Sequence, residues 1–454
     1  MSRVHCPVTQ SYLDECAAEG RDGLRGVVDH LRFPPHFTTA FDGRVLGRPL
    51  FVEETAIRGV ADRLMQFHDL IVSLPSRLLG GDVFAYGEAL GLDRRSVEIV
   101  RRNGLVPPIP YGRADLHRDG DSWQLLEFNI GADLGGMERT GDIPRALMDV
   151  PRFRQFAETH RLTYPDIGAS IARMVTRCAE SVSAADAPVV VLLESNGRVA
   201  TYQKYMLPFQ EYMRGKGIDL RLAEVGQLRS LGGKIHLDGT PVDVILRYVS
   251  VDQILDDPEV AAAMEPVFRA HEEGRTVQLT PICTDLHGNK GILPMLHDPR
   301  CRAALAEDEL AVVDGILPWT RSMAESKVEV DGDAVDLVEY CRAHREELIL
   351  KPNNDARGGG IVAGWETSDR DWRQALGECD RRRFLVQRKA PAQLEPVQDA
   401  ETGEVRDWFA TWGVYLTDEG YAGTYIRALS ESADSVVVGW DALPQLTAVF
   451  SYPA

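Results

Sequence analysis

Arg113-Ala-Asp-Leu-His117, the short turn Arg118-Asp-Gly-Asp-Ser122, and then Trp123-Gln-Leu-Leu-Glu-Phe-Asn129 decide how the rest of the chain is read. Asp-Gly between two runs of alternating polar and apolar residues is a hairpin signal. Period-two alternation puts Arg113 and Asp115 on one face of the first strand, and Glu127 and Asn129 on one face of the second. Whether those faces coincide depends on the pairing register, because a slip of one residue turns every side chain over. With the faces together, Asp115, Glu127 and Asn129 form a cluster of oxygen donors beside an arginine. Hard oxygens of this kind suit Mg²⁺, which keeps several waters and takes its other ligands from substrate phosphates. With the faces apart, the same residues are a solvated hairpin.

Composition narrows the function classes. The chain has 454 residues, long enough for roughly two to four lobes. A net charge of −19 argues against sequence-independent nucleic-acid binding, which needs a basic surface. It leaves room for a nucleotide, for which a few local cations suffice. Met1-Ser-Arg-Val-His-Cys6 contains no apolar signal region, and no apolar run approaches a membrane span. The seven cysteines are scattered without a C-x-x-C pair. They read as reduced thiols of a cytoplasmic protein, not as a disulfide framework or a zinc site.

Residues 1–105 read as a mainly helical region. Over residues 51–74, Ile57, Val60, Ala61, Leu64, Met65, Phe67, Leu70 and Ile71 recur at helical spacing. Glu53 and Glu54 fall in the expected first turn, where the helix dipole favours them. After the hairpin, Gly131-Ala-Asp-Leu-Gly-Gly136 follows a strand but lacks G-x-G-x-x-G. It reads as a flexible turn, with Asp133 and Arg139 as substrate contacts, or as a purely structural turn.

Residues 188–315 read as an α/β lobe. Val189-Val-Val-Leu-Leu193 is a continuous apolar strand of the parallel, buried kind. A helix over 199–214, strands near 218–222 and 242–249, a hairpin at His236-Leu-Asp-Gly239, a helix over 258–273 and a strand over 277–279 follow. Ligands of such sheets bind beyond the carboxyl ends of the strands. Glu194, Ser195, Asn196, Arg247 and Tyr248 sit at or near such ends, and Tyr202 lies on the helix that follows the first strand. Glu194, Tyr202, Arg247 and Arg139 are therefore substrate candidates, although each also suits a satisfied loop or sheet-edge position. Gly288-Asn-Lys-Gly291 is a loop with one lysine, without the glycine spacing of a phosphate loop.

The C-terminal part carries the second informative pattern. Leu317-Pro-Trp-Thr-Arg321 begins it, and a helix is expected over 334–345. An apolar strand then ends in Lys351, and Asp355-Ala-Arg-Gly-Gly-Gly-Ile-Val362 follows. A lysine at a strand end can reach a phosphate as a point charge. Consecutive glycines let backbone N–H groups wrap an anion. The strand around Gln387, Arg388 and Lys389 could offer its main chain to a purine edge, with Glu395 as a carboxylate for ribose hydroxyls. Arg427 sits inside an otherwise apolar strand, where it requires a partner: a salt bridge or phosphate oxygens.

Taken together these parts resemble the circularly permuted ATP-grasp family, and the amide-ligase domain of glutathionylspermidine synthetase in particular. The E-x-N strand comes early (Glu127-Phe-Asn129) and the lysine and glycine-loop lid comes late, the order that permutation produces. The resemblance spans roughly residues 85–454 and implies an α/β fold of α+β lobes. It has an N-terminal helical region (1–105), metal-binding strands of the ATP-grasp core with following helices (106–187), a Rossmann-like substrate-side lobe (188–315), and a lid and nucleotide-binding lobe (316–454). It implies magnesium on Asp115, Glu127 and Asn129, and Arg113 supporting an acyl phosphate. It further implies Lys351 and Gly358, Gly359 and Gly360 on the ATP phosphates, the adenine hinge at Gln387, Arg388 and Lys389, and Arg427 on the γ-phosphate. The family has one more lid cation, for which Arg321 and then Lys327 are the choices here. The loop after E-x-N departs from the family, so the substrates do not carry over.

The activity so implied is that of an ATP-dependent carboxylate–amine ligase working through an acyl phosphate, with ATP and Mg²⁺, releasing ADP and phosphate. Its partners would be a small-molecule carboxylate and amine. No nucleic acid and no membrane are expected, and a homodimer is the default oligomer. The alternatives are transfer to a carrier-protein thiol or protein partner, and a non-catalytic nucleotide-binding protein.

Overall fold

The computed structural model describes residues 5–41, 43–104, 108–131, 133–184, 187–354, 359–433, 437 and 443–454. Alternating residues around the opening hairpin build a seven-stranded sheet. Its order runs Leu50–Glu53, Gln445–Tyr452, Gly420–Ser430, Val405–Thr417, Gly112–Asp119 and Ser122–Ile130. Val405–Thr417 also pairs Leu394–Gln398 along its first half. The hairpin is tighter than the sequence suggests: Asp119 pairs Ser122, and only Gly120 and Asp121 turn the chain.

The two faces of this sheet belong to different cores, as period-two alternation requires. Ala114, Leu116, Leu125, Trp412, Val414 and Ile426 point to one side, against Ile57, Leu64 and Phe67. Tyr415, Tyr425 and Phe450 point to the other, against Met137 and Ile143 of helix Met137–Asp149. The first side is covered by helix Glu54–Leu79, whose apolar stripe is buried and which ends at Gly80 with φ 58°, a left-handed stop that favours glycine. Truncating Phe67 to alanine would cost about 3–5 kcal/mol.

The expected helix over 51–74 is corrected at its start. Leu50–Glu53 is a strand in parallel register with Gln445–Tyr452, and the helix begins at Glu54. The pairing partner lies at the far end of the chain, so no local signal marks it. The α/β lobe holds a parallel sheet in the order Val277–Leu279, Val244–Arg247, Val189–Glu194, Asp219–Glu224. Helices Arg198–Arg214 and Pro258–Glu272 lie along it.

A third, smaller sheet carries Lys351. Its order is Thr320–Ser322, Phe384–Arg388, Leu348–Pro352, Val362–Ala363. Leu348, Leu350 and Val386 face a core with Met323, Leu337 and Trp372. Thr320, Ile349, Lys351, Leu385 and Gln387 share the opposite face. The expected helix over 334–345 is shorter, Leu337–Ala343. Asp333–Asp336 instead pairs Lys327–Val330 around the turn at Asp331 and Gly332, and Asp336 caps the helix by accepting from Glu339 N–H. Among the described residues no helix is long and apolar enough to cross a membrane.

Candidate active site

Register settles what alternation alone leaves open. Arg113 pairs Asn129 and Asp115 pairs Glu127, so all four side chains share one face. Gly413 pairs both Asp115 and Tyr425, and Arg427 pairs Thr411, which places Arg427 on the same face. The missing side chain at Gly413 makes room here, since a Cβ would come within 3.1 Å of Arg113 Cδ.

Asp115 is the centre of the cluster and is 2 % exposed. Arg113 Nε donates to its Oδ1 at 2.7 Å and Nη2 to its Oδ2 at 3.0 Å. Arg427 Nη2 reaches Oδ2 at 2.7 Å, and Asn129 Nδ2 donates to it at 3.4 Å. Burial alone would raise the Asp115 pKa, but Arg113 and Arg427 outweigh it and hold the carboxyl well below the usual range. Asn129 Nδ2 also donates to Glu127 Oε1 at 3.2 Å. Arg113 Nη1 donates to the Gly135 carbonyl at 2.8 Å, tying the hairpin to the glycine loop. The rings of Tyr415 and Tyr425 flank Arg113, and Arg427 also lies against Tyr425.

The lysine strand meets this face through a bulge. The register shifts between Asp115 and Leu116, which leaves Leu126 without a cross-strand partner. The Leu126 carbonyl accepts from Lys351 Nζ at 3.0 Å, and Gln387 Oε1 accepts from the same ammonium at 2.7 Å. Gln387 is held in turn by donating from Nε2 to Thr320 Oγ1 at 3.1 Å. Burial, with the neighbouring Lys290 adding to it, pushes the Lys351 ammonium down to about 8, against the pull of Glu127 and Asp115. His117, on the same strand face as Asp115, meets the Ala390 carbonyl at 3.1 Å. Burial, then Lys351, Lys389 and Arg427, push it down to about 4, so it is neutral at pH 7.

Lys290 is the site residue that the sequence did not single out. Its Nζ lies 3.3 Å from Glu127 Oε2, with its side chain 11 % exposed. The Gly288–Gly291 loop has no phosphate-loop spacing, and only the tertiary fold carries it to the hairpin.

Other expected positions lie elsewhere. Arg321 pairs Val386, so it is on the face opposite Lys351. There it stacks on Trp319 at 5.1 Å and donates to the Glu329 carbonyl at 3.3 Å. Arg388 shares that face and donates to Tyr340 Oη at 3.2 Å. Lys389 lies over the Trp365 ring at 4.5 Å. Glu395 pairs Trp408, on the sheet face away from Asp115, and is bound to the buried Arg48 at 2.8 Å. Gly359 and Gly360 follow the lysine strand in an exposed turn, Gly360 with φ 65°; Gly358 is outside the described residues.

Of the substrate candidates, Arg139 is adjacent to the cluster. Its guanidinium lies 4.4 Å from the Phe41 ring centroid and 5.5 Å from that of Tyr425. Arg247 is engaged structurally, donating to the Thr280 carbonyl at 3.2 Å, to the Val249 carbonyl at 2.6 Å and to Asp285. Glu194 is buried at its strand end, where Oε2 accepts from Ser195 N–H at 3.3 Å. Tyr202 accepts from Arg198 at 3.2 Å, one turn earlier on the same helix.

Among the described residues no group of three or more histidine, cysteine or acidic side chains is placed to hold a metal. Glu127 and Asn129 nevertheless suit magnesium by donor type: both are half-exposed, and Asn129 Nδ2 donates to Glu127 Oε1, which puts the two side chains side by side. Both oxygens of Asp115 are engaged by Arg113, Arg427 and Asn129, and those of Glu127 by Asn129 and Lys290. Four cations (Arg113, Arg427, Lys351, Lys290) face two carboxylates, Asp115 and Glu127. The surplus of positive charge suits a polyanion that arrives with its own metal.

No protein-family model matches the sequence, and no curated protein matches it. Among solved structures, the fold is similar to a glutathione synthetase-like effector from Globodera pallida in its apo form. That likeness covers 100 % of both chains with a TM-score of 0.59 at 12 % identity. A candidate gamma-glutamylcysteine synthetase from Methylobacillus flagellatus is also similar, over 81 % of this chain and 87 % of that one, at 15 % identity and a TM-score of 0.43. The first likeness speaks for fold alone: this chain has a mixed α/β fold that it shares over its whole length with a glutathione synthetase-like protein.

Proposed function

We propose that the protein is an ATP-dependent carboxylate–amine ligase that forms an amide or peptide bond through an acyl phosphate and releases ADP and phosphate. The observation that carries this reading is the meeting of two sheets. One contributes Arg113, Asp115, Glu127, Asn129 and Arg427 on a single face, and the other brings Lys351 and Gln387 against it.

Phosphoryl transfer asks a protein for positioning and charge neutralisation more than for covalent chemistry. Lys351 would take phosphate oxygens as a point charge, with Gln387 fixing its direction. Glu127 and Asn129 would hold magnesium that enters with the nucleotide; the ion, when bound, neutralises phosphate charge. Asp115 would keep Arg113 and Arg427 charged and aimed at the place where the substrate carboxylate meets the phosphoryl group. Arg139 would take a further part of the substrate, and the loop around Gly359 and Gly360 would keep water from the acyl phosphate.

The test is product analysis with ATP and magnesium against pools of amino acids, small carboxylic acids and polyamines. Amine-dependent ADP and phosphate is the expected result. AMP with pyrophosphate would refute the mechanism. Glu127→Ala and Lys351→Ala should each abolish turnover while leaving a folded protein, and wild-type activity in either removes the assignment.

A further inference from the structure

The short helices Val83–Ala89 and Arg94–Val100 pack so closely that a Cβ at Gly87 would overlap Val97. Asp93 starts the second helix by accepting from Ser96 N–H at 2.9 Å. Val97 and Val100 turn inward, so helical spacing sends Arg94, Arg95, Glu98 and Arg101 to the outside. Arg94 and Arg101 lie over the half-buried ring of Phe84, at 5.2 and 5.5 Å. The turn at 380–383 adds Arg381, Arg382 and Arg383, all exposed. It seats against Gly91, where the backbone takes φ 82° and a Cβ would overlap the Arg382 carbonyl. Arg383 Nη2 lies 3.7 Å from Asp93 Oδ2 across this contact.

Six arginines thus share one surface with the carboxylates of Asp93, Glu98 and Asp380. Arg94 pairs Glu98 at 3.4 Å, and Arg383 pairs Asp380 at 3.6 Å as well as Asp93. Arg95, Arg101, Arg381 and Arg382 form no ion pair among the described residues. This concentration of free positive charge stands on a chain whose net charge is −19. Val83, Phe84 and Leu92 are half-buried among the arginines. Arginine around an aromatic and aliphatic centre is the composition of a protein interface. A nucleic acid or an anionic bilayer would extend over the acidic flanks and be repelled by them. A small acidic domain fits within the patch, and the surrounding negative charge steers it there.

The patch backs directly on the candidate site. Asn353, two residues beyond Lys351, donates from Nδ2 to the carbonyls of Leu90 at 3.2 Å and Arg382 at 3.3 Å, holding the two halves of the patch together. Its own carbonyl accepts from Lys290 N–H at 2.9 Å. Two residues of chain span at most about 7 Å, so a group on a flexible arm, carried by a domain seated here, has a short way to travel.

We propose that this arginine surface docks a small acidic carrier domain that presents a tethered carboxylate or amine to the neighbouring site. Docking stands on the charge and composition of the surface, and delivery rests on the ligase reading above.

The probe is holo acyl carrier protein, a small acidic domain with a thiol-ended arm. Calorimetry measures its binding to the wild-type chain, to the double variant Arg95→Glu, Arg382→Glu, and to Arg173→Glu. Arg173 is an exposed arginine of helix Ile167–Glu180, which packs in the core on the other side of the main sheet. Wild type and Arg173→Glu should bind alike, and the double variant roughly ten- to hundred-fold more weakly. Melting temperature and the Mg·ATP thermal shift should be unchanged in the double variant. Between about 0.01 and 0.15 M salt the Debye length falls from about 30 to about 8 Å, and wild-type affinity should fall with it. Absence of saturable binding, equal binding by the double variant, or an equal loss in Arg173→Glu overturns docking. Tighter binding to phosphatidylserine vesicles or to an oligonucleotide overturns it too, because the surface then serves another polyanion. ADP release stimulated by the carrier loaded with an amino acid supports delivery. Docking and Mg·ATP binding without such stimulation overturn delivery. Docking by a chain that binds no Mg·ATP overturns the ligase reading and leaves the docking surface standing.

Discussion

Raising the pH from 7 to 9 should weaken Mg·ATP binding through one proton on Lys351. The group is 5 % exposed, and its ammonium is pushed down to about 8. At pH 7 about nine-tenths of the lysine is charged, and at pH 9 about one-tenth. If only the charged form binds phosphate, the apparent Kd rises about tenfold across that interval. The terminal phosphate of the nucleotide, with a second pKa of about 6, does not contribute. Calorimetry in buffers of different ionisation enthalpy reads the effect twice, as the change in Kd and as protons taken up on binding near pH 8. Lys351→Gln should bind weakly with a flat profile. The unliganded fold moves the other way. The folded pKa lies below the unfolded value of 10.5, so between the two the unfolded chain holds more protons, and this group's contribution to stability rises with pH. Lowering from 10.5 to about 8 corresponds to roughly 3 kcal/mol, visible as the wild-type minus Lys351→Gln melting difference. A Kd independent of pH from 7 to 9, or the same pH dependence in Lys351→Gln, would refute the reasoning.

Asp115→Asn should destabilise the fold by about 3–5 kcal/mol, because it leaves Arg113 and Arg427 buried without a countercharge; urea unfolding measures it. With its carboxyl held low, the Asp115 contribution is present above the normal aspartate range and is lost as pH falls towards the folded value. Glu127→Gln, at a half-exposed position, should leave stability nearly unchanged but remove the magnesium dependence of the ATP thermal shift. Glu395→Gln should lower stability by unpairing Arg48, with Mg·ATP affinity within about twofold of wild type; a large loss of affinity would return Glu395 to the nucleotide site. The buried thiols Cys16 and Cys341, pushed up to about 12 by burial, and Cys178, Cys283 and Cys301, pushed up to about 11, keep their protons longer folded than unfolded. Their contribution is present below pH 9 and lost as pH rises through the folded values, so the native protein should resist alkylation at pH 8, and rapid labelling of all seven thiols would contradict this.

The hairpin was legible because its information is local. Alternation, an Asp-Gly turn and a cluster of polar residues at period two all lie within residues 113–129, and the strand ending in Lys351 was readable for the same reason. Arg427 was legible as an anomaly, a charge in an apolar strand. The sequence offered Arg321 and Glu395 equally well, yet a one-residue difference in parity sends each to the wrong face. Composition says which side chains are chemically suited to a site, whereas register says which way they point.

By itself the sequence determined most element types, though not the strands Leu50–Glu53 and Asp333–Asp336, and the two polar strands with their oxygen, arginine and lysine donors, because periodicity and turn chemistry act over a few residues. Only the tertiary structure decided that Arg113, Asp115, Glu127 and Asn129 share a face. It also decided that Asp115 holds two arginines, that a bulge at Leu126 receives Lys351, and that Lys290 joins them. These depend on cross-strand register and on contacts between distant segments, which arise from the packing of whole sheets and leave no mark in the local pattern of residues.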